Sequence, residues 1–170
     1  MDEFGLIAKY FRPLAEGAPE AFGLMDDAAA VSVPAGQELI VTTDAIICGT
    51  HFLPSDPLGS VARKLLRVNV SDLAAKGAAP FGYVLDCMWT RATSEAQVAE
   101  FASGLAEDQS LWGMKLLGGD TSVGDGPVAF ALTAFGLAQR GQMLRRSGVE
   151  VGDNLFVTGT IGDAGLGLRA

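Results

Sequence analysis

The chain has 170 residues, of which 49% are hydrophobic and 19% charged; that size and balance suit a packed domain and exclude a disordered chain. Twelve basic against twenty acidic residues leave a formal net charge of −8, which argues against nucleic acid as a partner, because phosphate backbones are held by clustered Lys and Arg. No apolar run approaches the ~18 residues of a membrane span, and the start Met1-Asp2-Glu3-Phe4 lacks the basic segment of a signal peptide.

Phe4, Ile7, Phe11 and Leu14 recur at three- and four-residue spacing and predict a short amphipathic helix. Residues 17–23 read as a loop. Residues 39–44, Leu-Ile-Val-Thr-Thr-Asp, predict a buried strand running into a carboxylate. A proline-bearing loop, 51–59, leads to a helix over 61–76, closed by Gly77 and Pro80. Residues 83–89 predict a strand. Ser94 and Gln97 form a capping box for a helix whose one face carries Val98, Phe101, Leu105 and Trp112. Leu116-Leu117 runs into Gly118-Gly119-Asp120. Residues 128–137 predict a long strand, apolar on both faces and therefore an edge that needs cover, and 154–158 predict another. Gly159 to Ala170 reads as a glycine-rich turn opening a helix that lacks a C-cap. Strands alternating with helices give a mixed α and β class, α/β of the α+β type, with a mixed sheet flanked by helices. Cys48 and Cys87 form no C-x-x-C pair and read as reduced, mostly buried thiols of a cytoplasmic protein.

Four aspartates end apolar runs or follow glycines: Asp27, Asp44, Asp72 and Asp120. A carboxylate in such surroundings is costly unless its charge is compensated. Strand alternation puts Thr42 and Asp44 on one side, and helical spacing gives Asn69, Asp72 and Lys76 a common face. Each has a plain structural alternative: Asp26 or Asp27 as a helix cap, Asp72 paired with Lys76, Gly-Gly-Asp as a turn, Asp44 capping a loop. Taken together they suit Mg²⁺, a hard cation that takes carboxylates, water and substrate phosphates. An acidic chain can bind an anionic phosphate with Mg²⁺ between them. Asp44, Asp72 and Asp120 should then converge, within one chain or across a dimer. There is no Walker A sequence and no G-x-S-x-G, and His51 is the only histidine, which argues against a Ser-His-Asp triad.

Thr42-Thr43-Asp44, Gly49-Thr50-His51-Phe52, the run Asn69 to Ala78 (N-V-S-D-L-A-A-K-G-A), Gly118-Gly119-Asp120-Thr121, Arg146-Ser147-Gly148, Val151-Gly152-Asp153 and Val157 to Asp163 (V-T-G-T-I-G-D) follow in order along essentially the whole chain. In that order they resemble the thiamine-monophosphate kinases. That family shares a superfamily with aminoimidazole ribonucleotide synthetase, selenophosphate synthetase and a hydrogenase maturation factor. The Gly-Thr-His-Phe segment points to the thiamine branch.

The resemblance implies an N-terminal ATP- and Mg²⁺-binding domain over 1–140, whose sheet pairs with that of a second subunit and closes a barrel in a homodimer. It implies that 141–170 begins a C-terminal domain lying mostly outside this chain, which would leave the chain little activity alone. It implies Asp27, Thr42, Thr43, Asp44, Asp72 and Asp120 as ligands of several Mg²⁺ ions. Gly119, Asp120 and Arg146 become ATP contacts, and His51 a contact of thiamine monophosphate. The implied reaction is direct, in-line, ATP-dependent phosphorylation of thiamine monophosphate to thiamine diphosphate. Alternatives are another ATP-dependent member of the superfamily, or a non-catalytic dimeric nucleotide-binding fragment. One departure stands out: Met25 occupies the place of a family glycine before Asp26-Asp27, which predicts strain if that position needs a positive φ.

Overall fold

A computed structural model describes residues 3–169; Met1 and Asp2 of the acidic start and the terminal Ala170 lie outside it. Its elements are α1 (Glu3–Leu6), β1 (Gln37–Ile47), α2 (Leu58–Ala75), β2 (Ala79–Thr90), α3 (Glu95–Trp112), β3 (Lys115–Gly124), β4 (Ala129–Gln139) and α4 (Asp163–Gly167). The four strands form one sheet in the order β1-β4-β2-β3. β4 runs antiparallel to both β1 and β2, and β2 is parallel to β3. β1-α2-β2 is therefore a split βαβ unit with β4 inserted, and β2-α3-β3 a direct one.

The core lies between one sheet face and the helices α2 and α3. Alternation along β4 sends Phe130, Leu132 and Ala134 into it. Leu65, Leu66 and Leu73 of α2 and Phe101 and Leu105 of α3 meet them, each fully buried and worth about 1.5–3 kcal/mol of transfer free energy. Trp89, Phe101 and Phe130 interlock, with centroids 4.1–5.5 Å apart. The helices approach closely because Gly104 faces Gly59: a Cβ on Gly104 would lie 2.3 Å from the Gly59 carbonyl oxygen. The Ser94–Gln97 capping box is complete, and Gly77 turns the chain out of α2 at φ 69°.

Five expectations change. The first amphipathic stretch is α1 continued by a π turn (Ile7–Phe11) and a 3₁₀ turn (Arg12–Ala15), and the expected loop at 17–23 contains a further 3₁₀ turn, Pro19–Leu24. Pro13 removes an amide donor, so a regular helix cannot run through. Trp112 does not join the buried stripe of α3 and is 40% exposed; Gly113, left-handed at φ 66°, ends the helix there. β4 is interior, not an edge. Residues 154–158 form no strand: Leu155, Phe156 and Val157 are exposed and pair with no strand among the described residues.

The 3₁₀ turns wrap the β3 edge. Ala15, Ala18 and Ala21 pack with Leu117 in a second small cluster against Phe81, Val84 and Phe135 on the outer sheet face. β1 at the opposite edge has no such cover, and among the described residues it pairs only with β4. No described helix is long and apolar enough to cross a membrane. Cys48 is half-buried, Cys87 is buried, and both are free thiols.

Candidate phosphate and metal site

Period-two alternation splits the two threonines at the end of β1. Thr42 faces α2 and donates its hydroxyl to Asp72 Oδ2 at 2.8 Å. Thr43 faces the other way, donating to the Leu132 carbonyl at 3.2 Å and accepting from the Thr133 hydroxyl at 3.1 Å. Asp44 follows Thr42 to the α2 side. Asp44 and Asp72 border one open cleft of about 720 Å³, together with Ser60, Arg63, Lys64 and Arg67 of α2. These cations have work of their own. Arg63 pairs with Glu107 at 2.8 Å, and Arg67 grips the buried Asp108 through Nε and Nη2 at 2.6 and 2.9 Å. Hydrogen bonding to Asp108 holds the Arg67 guanidinium above its ordinary pKa. Asp72 makes no ion pair with Lys76 among the described residues; its partner is Thr42. Asn69 shares the α2 face with Asp72 but is fully buried, bonding back to the Leu65 carbonyl at 2.9 Å.

His51 sits in the turn after β1, where Gly49 at φ 82° reverses the chain and donates to the Phe52 carbonyl. The Ile47 amide donates to His51 Nδ1 at 3.1 Å. Nδ1 is therefore the acceptor, and the proton of the neutral ring is on the exposed Nε2. Lys64 Nζ donates to the His51 carbonyl and ties this turn to α2.

The other carboxylates lie across the sheet. Asp27 and Asp120 border a cavity of about 460 Å³ at the β3 edge, floored by Phe11, Leu85 and Leu116 and closed by the 3₁₀ segment. Gly119, at φ 153°, is obligatory: a Cβ there would sit 1.9 Å from the Leu85 carbonyl oxygen. Met25 is unstrained, at φ −111°. The positive φ values fall instead on Phe22, Gly23 and Leu24, so the lost glycine is not needed at position 25. Asp26 accepts from the Asp27 amide at 2.8 Å. Arg12 Nη2 rests on the Met25 sulfur at 2.7 Å. Arg146 lies in the exposed segment after β4 and borders neither cavity.

Asp44 and Asp120 thus stand at opposite sheet edges, three strand spacings or about 14 Å apart, and on opposite faces. One chain does not gather Asp44, Asp72 and Asp120: no three His, Cys, Asp or Glu side chains among the described residues cluster closely enough to hold a metal. Each pair alone still fits Mg²⁺, which is commonly held by one or two carboxylates with phosphates and water completing the shell. Sequence reading missed Asp86, which is in register with Asp120 on the parallel neighbour strand. Only the strand pairing reveals it. Burial first, then Asp86 and Asp120, push the Cys87 thiol well above its ordinary pKa, so it stays protonated and unreactive.

Residues 25–138 match the family model of AIR synthase related protein, N-terminal domain. The thiamine-monophosphate kinase of Caulobacter vibrioides is 48% identical over 99% of this chain and 48% of its own length. The crystal structure of thiamine-monophosphate kinase from Stenotrophomonas maltophilia superimposes with a TM-score of 0.85 at 35% identity, covering 99% of this chain and 52% of that one. AaThiL complexed with AMPPCP and TMP gives a TM-score of 0.73 at 29% identity over 94% of this chain and 53% of that one. The chain spans about half the length of the curated relatives it matches.

Proposed function

The chain belongs to the family of AIR synthase related proteins, whose N-terminal domain it carries, and on that premise we propose that it serves the transfer of a phosphoryl group from ATP to thiamine monophosphate, giving thiamine diphosphate. The observation that carries this reading is the 48% identity to a thiamine-monophosphate kinase, sustained over 99% of the chain. The complex of a related structure with AMPPCP and TMP supports ATP as the phosphoryl donor.

The acceptor is a phosphate oxygen, already ionised near neutral pH, so no general base is required. The difficulty is bringing two polyanions together and aligning them in line. Asp44 and Asp72, with the Thr42 hydroxyl, offer oxygens from one cleft; Asp27 and Asp120 offer them from the other. These residues, with Thr43, would hold several Mg²⁺ ions. When bound, those ions neutralise charge between donor and acceptor phosphates. Gly119, Asp120 and Arg146 would contact ATP, and the Nε2 proton of His51 would be donated to thiamine monophosphate. Transfer is direct, with no phosphoenzyme.

A homodimer whose two sheets close a barrel through the uncovered β1 side would set the Asp44–Asp72 cleft of one copy beside the Asp27–Asp120 cavity of the other. A cytoplasmic location accords with two free thiols. The chain, which spans about half the length of its relatives, incubated with Mg²⁺, ATP and thiamine monophosphate tests the reading: slow diphosphate formation is expected, far below the rate of a full-length relative. ATP binding without any turnover would favour a nucleotide-binding module instead.

A further inference from the structure

Among the described residues Arg12 is the only cationic side chain bordering the β3-edge cavity, although Glu3, Asp26, Asp27 and Asp120 border it too. It pairs with none of them. Its Nη2 donates to the Met25 thioether, a weak acceptor, and its Nε is buried with no partner. A buried donor left unpaired is costly, and such groups in a folded chain call for an explanation. Phe11, buried at 5% exposure, and Pro13 flank Arg12 and fix its backbone.

A guanidinium whose Nε has no partner and whose Nη2 meets only a thioether carries the fork that matches two oxygens of a phosphoryl group. We propose that Arg12 anchors a phosphoryl group of a polyphosphate ligand in this cavity. Its Nε–H and Nη2–H take two phosphate oxygens, and the Met25 sulfur holds the guanidinium in place until the anion displaces it. The four carboxylates of the cavity explain why the anion should enter with a divalent cation: Arg12 alone offsets only part of their charge. The inference rests on the nucleotide reading above for the remainder of the ligand, but not for the phosphoryl group itself.

Calorimetric titration of the chain with magnesium tripolyphosphate, Mg²⁺–ATP and adenosine tests this. Arg12→Ala should weaken both phosphate probes by about ten- to a hundredfold, as expected for a lost charge-assisted pair of hydrogen bonds, and leave adenosine unchanged. Arg12→Lys keeps stem and charge but not the fork. It should keep the wild-type melting temperature and still lose affinity for tripolyphosphate, and it decides the matter if the alanine variant does not fold. Arg12-dependent tripolyphosphate binding without ATP binding would uphold the anchor and sink the nucleotide reading. Equal ATP affinity in wild type and Arg12→Ala overturns the anchor. So does an equal loss of adenosine binding, or failure of the wild-type chain to bind tripolyphosphate at millimolar concentration.

Discussion

The Thr42 hydroxyl donates to the Asp72 carboxylate across 2.8 Å, joining the last turns of α2 to the edge strand β1. The bond fixes one carboxylate oxygen of a residue that borders the cleft together with Asp44. A hydroxyl paired to a carboxylate at a partly open edge adds little to stability, about 1 kcal/mol or less. Its larger effect is to orient a ligand oxygen.

Asp72→Asn should therefore fold normally yet lose about 10²-fold or more in Mg²⁺-dependent turnover or Mg²⁺–ATP affinity, the scale seen when one charge-stabilising group is removed. Thr42→Val should lose less, since the carboxylate remains and only its orientation is freed. Wild-type metal dependence in Asp72→Asn would remove this residue from the site.

Adjacent glycines give a sharper contrast. Gly118 has nothing nearer than 3.9 Å to an added Cβ, whereas Gly119 would collide with the Leu85 carbonyl at 1.9 Å. Gly118→Ala should melt within a degree or two of the parent. Gly119→Ala should fail to fold or lose at least about 3 kcal/mol, the upper range for overpacking. Thermal denaturation of the two variants side by side checks this, and equal melting points would mean the β2–β3 register is wrong.

Arg67 and Asp108 join α2 to α3 through two hydrogen bonds. The Asp108 side chain is 3% exposed but that of Arg67 is 55% exposed. Removing Arg67 strands a buried charge, yet water can partly replace the guanidinium. Arg67→Ala should destabilise the fold by less than the loss of a fully buried pair, and lower the melting temperature measurably. Arg67→Ala with Asp108→Leu should recover much of that loss; no recovery would show that the pair is not the source.

What was legible in the sequence is what local chemistry decides. The Ser94–Gln97 box, the Val98–Phe101–Leu105 part of the α3 stripe and the Thr42/Asp44 alternation need only neighbours a few residues away, and each is present; Trp112, read into the same stripe, is not part of it. Pairing across the chain was not legible. Residues 154–158 have strand-like composition, but a strand exists only with a partner. Residues 128–137 look like an edge by composition, yet β4 is central because β1 and β2 both choose it. The Asp86–Asp120 neighbour relation depends on the register of two strands joined through α3, and the contact of Arg12 with Met25 on a chain of 3₁₀ turns.

Alkaline pH should destabilise the fold. Burial raises the Cys87 thiol above its ordinary value of 9.0 and the Tyr83 hydroxyl above its ordinary 10.0. Both stay protonated in the folded chain while the unfolded chain releases its protons. Stability is thus intact below about pH 9 and falls as pH rises through 9 and then 10. Melting curves from pH 7 to 11 should show that decline, with a shallower slope for Cys87→Ala. In the folded chain at pH 8 a thiol reagent should label Cys48 and spare Cys87; rapid labelling of both would contradict the burial.

Assembly provides the last test. The outer sheet face exposes Val41 at 55%, Met88 at 40% and Ile47 at 36%, and the 3₁₀ segment covers only the β3 side of it. Apolar surface along an uncovered edge strand favours pairing with a second copy. We expect a homodimer by light scattering at micromolar concentration, burying well above ~1,000 Å² in total. Val41→Lys should shift it toward monomer, because a lysine there must be desolvated without a partner. If the dimer sets the cleft of one copy against the cavity of the other, Asp44→Ala and Asp120→Ala, each defective in Mg²⁺–ATP binding, should regain part of that binding when unfolded together and refolded as a mixture. Every mixed dimer would carry one site with both aspartates intact. A stable monomer would end the dimer reading; a dimer without such rescue would leave the two carboxylate pairs as separate sites.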